Sequence, residues 1–355
     1  MAELDRLLRH LKERGGSDLH LAAGMEPRVR VRGELEPVPE RDVLDDAALR
    51  ALLEPIATER QWREWVDTHD LDFAYGLEGV ARFRANFFEQ ENGAGAVFRM
   101  IPEKVISLEE LALPAAIEKL AGLEAGLVLV TGPTGSGKST TLAAVIDRIN
   151  RSASRHIVTI EDPVEFVHEN QSSVLSHREV GQHTGSFADA LRGAVRQDAD
   201  VVLVGEMRDR DTIGMALAAA EMGLLVFGTL HTSGAAKTID RIVDAFPSSE
   251  QGQVRLSLSE SLAAVVSQLL LPSVDGKGRV AINEIMLRTP GLANLIREGN
   301  TPQIQSLIQS GKKDGMQTLD DALFAALEAG RIDGRDAYRK AADKSRFERF
   351  AGGGD

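Results

Sequence analysis

Residues 126–141 read Gly-Leu-Val-Leu-Val-Thr-Gly-Pro-Thr-Gly-Ser-Gly-Lys-Ser-Thr-Thr, and no other stretch restricts the fold as strongly. Gly132, Gly137, Lys138 and Ser139 have the P-loop spacing G-x-x-x-x-G-K-[ST]. That motif works only between a strand and a helix, and both are expected here. Residues 127–130 form an apolar run, and Leu142, Val145, Ile146 and Ile149 recur at helical spacing. Glycines let successive backbone N–H groups curve round a phosphate chain, while the helix aims its positive N-terminus at the same charge. Pro133, Thr134, Gly135, Ser136, Gly137, Lys138, Ser139 and Thr140 are therefore the expected nucleotide-binding residues. Lys138 should reach the β- and γ-phosphates of ATP, and the Ser139 hydroxyl the bridging Mg²⁺. A glycine-rich turn with a chance lysine is the plain alternative, and the correct pattern on both flanks argues against it.

Around this loop the chain divides by texture. Leu4, Leu7, Leu8 and Leu11 share a helical face that ends at Gly15-Gly16, a strand follows at 18–22, and Val29 and Val31 alternate with arginines up to Gly33. Helical stretches near 46–53 and 58–66 lead to strand patterns at 70–77, 81–90 and 94–101, in which Phe83, Ala85 and Phe87 alternate with Arg82, Arg84 and Asn86. Residues 1–101 thus read as an α+β domain and 102–107 as a short hinge. From there helical segments alternate with apolar strands at 127–131, 156–160, 201–204 and 224–229, which implies a parallel sheet wrapped by helices over 108–290. After Pro247 the pattern is helical apart from a strand at 279–287. Residues 291–355 form a helical C-terminal region with a polar Gly-Gly-Gly-Asp tail.

Composition narrows the function. A chain of 355 residues, 43% of them hydrophobic, can bury two cores. A net charge of −13 and a pI near 5.2 argue against a nucleic-acid partner, because phosphate backbones attract basic surfaces. The absence of cysteine excludes disulfides and thiolate zinc sites. The first residues carry acids where a signal peptide needs a basic start, and the apolar runs at 223–230 and 262–272 fall short of the ~20 residues that span a bilayer. A cytoplasmic protein, peripherally docked at most, is the expectation.

Three further positions carry chemistry. The second strand of the parallel sheet ends in Glu161-Asp162-Pro163-Val164-Glu165, acids delivered where a ligand crevice opens, able to orient Mg²⁺ or water; a simple turn ahead of Pro163 would look the same. The third ends in Gly205-Glu206, a Walker B arrangement with glycine where the aspartate usually stands. This leaves Glu206 to orient or deprotonate the attacking water. The fourth delivers His231, a candidate sensor of the γ-phosphate or a structural histidine.

Taken together and in order, GPTGSGKST, TIEDPVEF, LVGEMRD and LVFGTLHT resemble the four boxes of the secretion and type IV pilus ATPase superfamily. Gly16-Ser17-Asp18-Leu19-His20, Ala81-Arg82-Phe83-Arg84-Ala85-Asn86 and Asn294-Leu295-Ile296-Arg297-Glu298 are similar to features of its pilus-retraction members. The resemblance implies an α/β fold with a RecA-like P-loop ATPase core, a smaller PAS-like α+β domain before it and a helical region after it. It also implies a hexameric, ATP-hydrolysing motor that powers pilus retraction. Arg84 and Arg99 would reach nucleotide across a subunit boundary, beside the catalytic Glu161, Glu206 and His231. The motif Asn294, Leu295, Ile296, Arg297 and Glu298 would couple to a partner: Leu292, Leu295 and Ile296 have i, i+3, i+4 spacing and can anchor a helix on the motor core, leaving Asn294, Arg297 and Glu298 to face a neighbour or the platform protein. The implied partners are further copies of the chain, an inner-membrane pilus platform protein and a paralogous accessory ATPase. An extension or type II secretion ATPase, or a non-hydrolysing accessory paralogue, is the alternative. Two positions depart from the family pattern: Leu224 stands where its His box opens with histidine, and Gly291-Leu292-Ala293 replaces the first half of its C-terminal signature.

Overall fold

The computed structural model describes residues 3–39, 41–101, 104–276 and 278–351. Part of the expected hinge (102 and 103) and the Gly-Gly-Gly-Asp tail lie outside them. Contacts divide the chain into two compact units, Met1–Lys104 with Asp162–Val167, and Val105–Glu161 with His168–Asp355.

In the first unit, α1 (Glu3–Glu13), β1 (Asp18–Ala22), β2 (Arg28–Val31), β3 (Glu34–Pro37), α2 (Asp46–Leu53), α3 (Glu59–Thr68), β4 (Asp70–Leu77), β5 (Ala81–Gln90) and β6 (Gly93–Ile101) follow one another. The strands form an antiparallel sheet in the order β3-β2-β1-β6-β5-β4. Alternation decides its faces. Phe83, Ala85, Phe87 and Phe98 are buried together with Leu4, Leu7, Leu8 and Leu11 of α1 and Trp65 of α3, whereas Arg84 and Arg99 are exposed. Phe87 meets Trp65, Phe73 and Phe98 edge to face, the arrangement that aromatic quadrupoles favour. The short strand β3 has no counterpart in the sequence pattern.

The second unit contains α4 (Ala115–Leu120), β7 (Gly126–Thr131), α5 (Lys138–Ser152), β8 (His156–Glu161), β9 (Val174–Glu179), α6 (Phe187–Arg196), β10 (Val201–Val204), α7 (Arg210–Glu221), β11 (Leu225–Leu230), α8 (Ala235–Asp244), α9 (Gln251–Ser261), β12 (Leu262–Pro272), β13 (Arg279–Leu287) and α10 (Pro290–Glu298). The shorter helices α11 (Ile304–Ser310), α12 (Leu319–Glu328), α13 (Gly334–Lys340) and α14 (Glu348–Ala351) close the chain. The sheet runs β13-β12-β7-β11-β10-β8-β9, parallel except where β13 meets β12. One face packs on α4 and α5 through Val128, Val130, Leu142, Val145 and Ile149, the other on α6 to α10 through Leu127, Leu129, Val202 and Ile239. Burial on both faces is why these strands are continuously apolar.

One expectation fails here. Residues 262–272 do not continue a helix: they form the eleven-residue strand β12, beside β7. The helix α9 passes into it at Leu262 with φ −66° and ψ 117°, and no glycine or proline marks the change. A short apolar run buried on both sides has no period that separates strand from helix. The edge strand β9 was likewise invisible, because its sequence, Val-Leu-Ser-His-Arg-Glu, is polar.

Candidate functional site

Parallel strands bring the candidate loops to one edge. Thr131 at the end of β7 pairs with Leu230 at the end of β11, and Val204 at the end of β10 pairs with Gly228 and Ile160. The loop 132–137, His231, Glu206 and Glu161 therefore all leave the sheet at its carboxyl edge, where open α/β sheets bind ligands. Leu224 precedes β11 and so lies at the opposite end of that strand from His231.

The loop has the conformation its glycines predict. Gly132, Gly135 and Gly137 have φ of +144°, +77° and +83°, values that side chains other than hydrogen rarely tolerate. Gly137 is the residue before α5 and offers no side-chain cap, so the N-terminus of this fifteen-residue helix is placed where an anion can meet it. Pro133, Thr134 and Gly135 form an exposed crest, Ser136 and Lys138 are buried, and Gly137, Ser139 and Thr140 are half-buried. The Lys138 ammonium donates to the carbonyls of Gly132 (2.9 Å) and Pro133 (3.1 Å), which holds its charge inside the loop. The buried Ser136 hydroxyl has no partner among the described residues. Glycine backbone, helix N-terminus and enclosed ammonium together fit a polyphosphate.

A divalent cation fits the same place through Ser139 in the first turn of α5. Among the described residues no three acidic or histidine side chains gather as a metal site, and Ser139 is the side chain that the loop itself would offer such a cation. Gly205, which stands where a Walker B carboxylate would, is closely packed. A Cβ there would lie 3.3 Å from both the Ile160 carbonyl oxygen and Glu161 Cα.

Glu206 is the chemical centre of the edge. Its Oε1 is 3.1 Å from His231 Nε2 and its Oε2 accepts from Arg208 at 2.6 Å. Partial burial pushes the carboxyl up, but the Arg208 hydrogen bond and the charges of Arg208 and His231 outweigh burial and hold it below the usual glutamate range. The structure thus joins two residues read independently from two strands and adds Arg208, to which the sequence assigned no role. Glu161, the last residue of β8, is half-buried.

In the first unit, Arg84 and Arg99 stand directly opposite each other on β5 and β6. Asp72 accepts from Arg84 Nε at 2.9 Å, and the nearly buried Asp18 accepts from Arg99 Nε at 2.8 Å. Asp18 belongs to the Gly-Ser-Asp-Leu-His stretch, so one physical role of that stretch is to brace Arg99.

The C-terminal motif divides as its helical spacing leads one to expect. Ile296 is buried with Leu292, and Leu295 is half-buried against the same core, so these side chains anchor α10. Asn294, Arg297 and Glu298 are exposed, and Arg297 donates to Asn294.

The family model described as "Type II/IV secretion system protein" matches residues 3–333. The chain belongs to that family. Among its members, the type IV pilus retractation ATPase PilT of Pseudomonas aeruginosa is 49% identical over 339 residues, 96% of this chain and 98% of the relative. The twitching motility protein of Neisseria gonorrhoeae is 51% identical over 89% of this chain and 84% of its own length. The crystal structure of the pilus retraction motor PilT with bound ADP superposes with a TM-score of 0.90 at 42% identity, covering 98% of this chain and 99% of that one. The family fold, a parallel α/β ATPase core with added helical segments, is thus the fold of this chain. Besides Arg208, sequence reasoning missed Gln268 of β12, whose side chain reaches the loop. The only signal was Ser-Gln interrupting an otherwise apolar run.

Proposed function

We propose that this chain is an ATP-hydrolysing motor for type IV pilus retraction. It works as a ring of six at the cytoplasmic face of an inner-membrane pilus machine, against a platform protein and alongside a paralogous accessory ATPase. In this reading 1–101 is the PAS-like domain, 102–107 the hinge, 108–290 the RecA-like motor and 291–355 its helical C-terminal region. The loop 133–140 grips the phosphates of ATP, with Lys138 neutralising the β- and γ-oxygens. Mg²⁺ held by Ser139 would supply further charge neutralisation there.

Glu206 takes the proton of a water as its oxygen bonds to the γ-phosphorus and the bridging bond to ADP breaks. His231, hydrogen-bonded to Glu206, holds that carboxylate in position and ties its placement to the γ-phosphate, and Glu161 orients the water or the cation. Arg84 and Arg99 add positive charge from the neighbouring subunit, in the geometry that suits a guanidinium fork.

The pairing of Glu206 with His231 on the edge that bears the P-loop carries the hydrolytic reading. Likeness along 98% of a relative named for retraction supports the direction of the motor. Two measurements test it. Purified protein should hydrolyse ATP only with Mg²⁺, and Lys138→Ala should abolish tight nucleotide binding, because it removes the charge partner of the phosphates. Cells lacking the gene should carry excess surface pili and lose twitching; bald cells would mean extension instead.

A further inference from the structure

We infer that Gln268, outside every recognised box, is a positioning residue for the nucleotide: its carboxamide sets the direction of a P-loop peptide and so the strength of the phosphate grip. The inference rests on reading 132–139 as an ATP loop.

Strand β12 continues to Pro272, beyond the Ser267–Thr131 pair at which β7 ends. Gln268, paired on one side with Asn283 of β13, therefore has the loop rather than β7 on its other side. It is 3% exposed. Its Nε2 donates to the Ser136 carbonyl at 2.6 Å, while its Oε1 accepts from Thr141 Oγ1 in the first turn of α5 and from Asn283 Nδ2 on β13, both at 2.9 Å. One side chain thus joins the loop, the helix it opens and the sheet beneath. Only a carboxamide of this length supplies both the donor that Ser136 requires and the acceptor that Thr141 and Asn283 require.

The consequence follows from peptide geometry. The C=O of Ser136 and the N–H of Gly137 belong to one planar trans unit and point in opposite directions. Drawing the carbonyl toward β12 aims the Gly137 N–H away from it, as a fixed donor in the loop. Residue 268 also lies against two of the glycines, whose positive φ already disfavours a side chain. A Cβ at Gly132 would lie 2.1 Å from the Gln268 carbonyl oxygen, and one at Gly137 would lie 3.0 Å from its Nε2.

The test compares binding of a fluorescent ADP analogue to the full-length wild type, Lys138→Ala, Gln268→Met, Gln268→Glu and Ile296→Ala, alongside nucleotide-free melting curves. Gln268→Met should weaken binding about tenfold, the equivalent of ~1.4 kcal/mol. Ile296→Ala, destabilised in the core away from the loop, should bind like wild type. Gln268→Glu keeps both acceptor contacts but faces the Ser136 carbonyl with a carboxylate. Its affinity should recover relative to wild type as pH falls from ~8 to ~6, because a buried carboxyl protonates in that range and regains a donor. Such rescue would not follow from a packing role. Should Gln268→Met fail to fold, the pH response of Gln268→Glu decides alone. Wild-type affinity in both Gln268 variants, with Lys138→Ala inactive in binding, overturns the positioning role and leaves the loop reading intact. A wild type that binds no nucleotide overturns both.

Discussion

Glu206 is held ionised against its own burial, and this makes its role measurable. Because its pKa is lowered in the folded protein, the carboxylate persists above the ordinary glutamate range and for some distance below it, and is lost only as pH falls through the depressed folded value. Activity should therefore hold its plateau into mildly acidic solution. In Arg208→Ala the first of the interactions opposing burial is gone, so the acid limb of the kcat profile should move to higher pH while the alkaline side stays put. An unmoved limb would show that another group sets it. Glu206→Gln keeps the shape of the site without the proton acceptor; it should bind ATP normally and lower turnover by at least about a hundredfold, as loss of a general base does. Near-normal hydrolysis by that variant would remove Glu206 from the reaction.

Among elements, α10 separates anchoring from coupling. Ile296→Ala should cost about 2–5 kcal/mol, read from denaturant unfolding, because it empties a fully buried site. Changing Arg297 and Glu298 together to alanine touches only exposed positions and should leave stability within about 0.5 kcal/mol and ATPase activity near normal, yet abolish twitching. Normal twitching at normal expression would release both residues from the coupling path. The helical C-terminal region has its own electrostatic staple. Burial raises the Asp321 pKa, but Lys312 and Arg346, each at 2.8 Å, overcome it and bring the group from 3.8 to about 2. That stability is complete above pH 3.8 and drains away as pH falls toward about 2. Asp321→Asn should lower the melting temperature at neutral pH and flatten its decline through this window.

For the whole molecule, the decisive issue is whether hydrolysis needs two chains. Arg84 and Arg99 are exposed, adjacent and each braced by one carboxylate, so losing either guanidinium should not disturb nucleotide binding by an isolated subunit. Arg84→Ala and Arg99→Ala should bind ATP yet hydrolyse it slowly. Adding Lys138→Ala subunits, whose arginines are intact, to Arg84→Ala rings should restore part of the turnover. If mixed rings form and recover nothing, the arginine does not act across a boundary.

Much of this was legible without coordinates, for one physical reason: a P-loop needs its strand, its glycines and its helix contiguous in sequence, so local pattern suffices for residues 126–152. The amphipathic helix α1 and the alternating strands β4 to β6 were equally plain, because burial on one face imposes a period. The loop, the acidic and histidine strand ends and the P-loop ATPase class could all be read from local pattern. That 262–272 is a strand could be seen only in the folded chain, since burial on both faces erases periodicity. With that strand came Gln268, 132 residues from the loop carbonyl it grips. The Glu206–His231 pair and the braces on Arg84 and Arg99 are of the same kind. Each is a contact between segments far apart in the chain, which exists only once sheet order and register have been chosen.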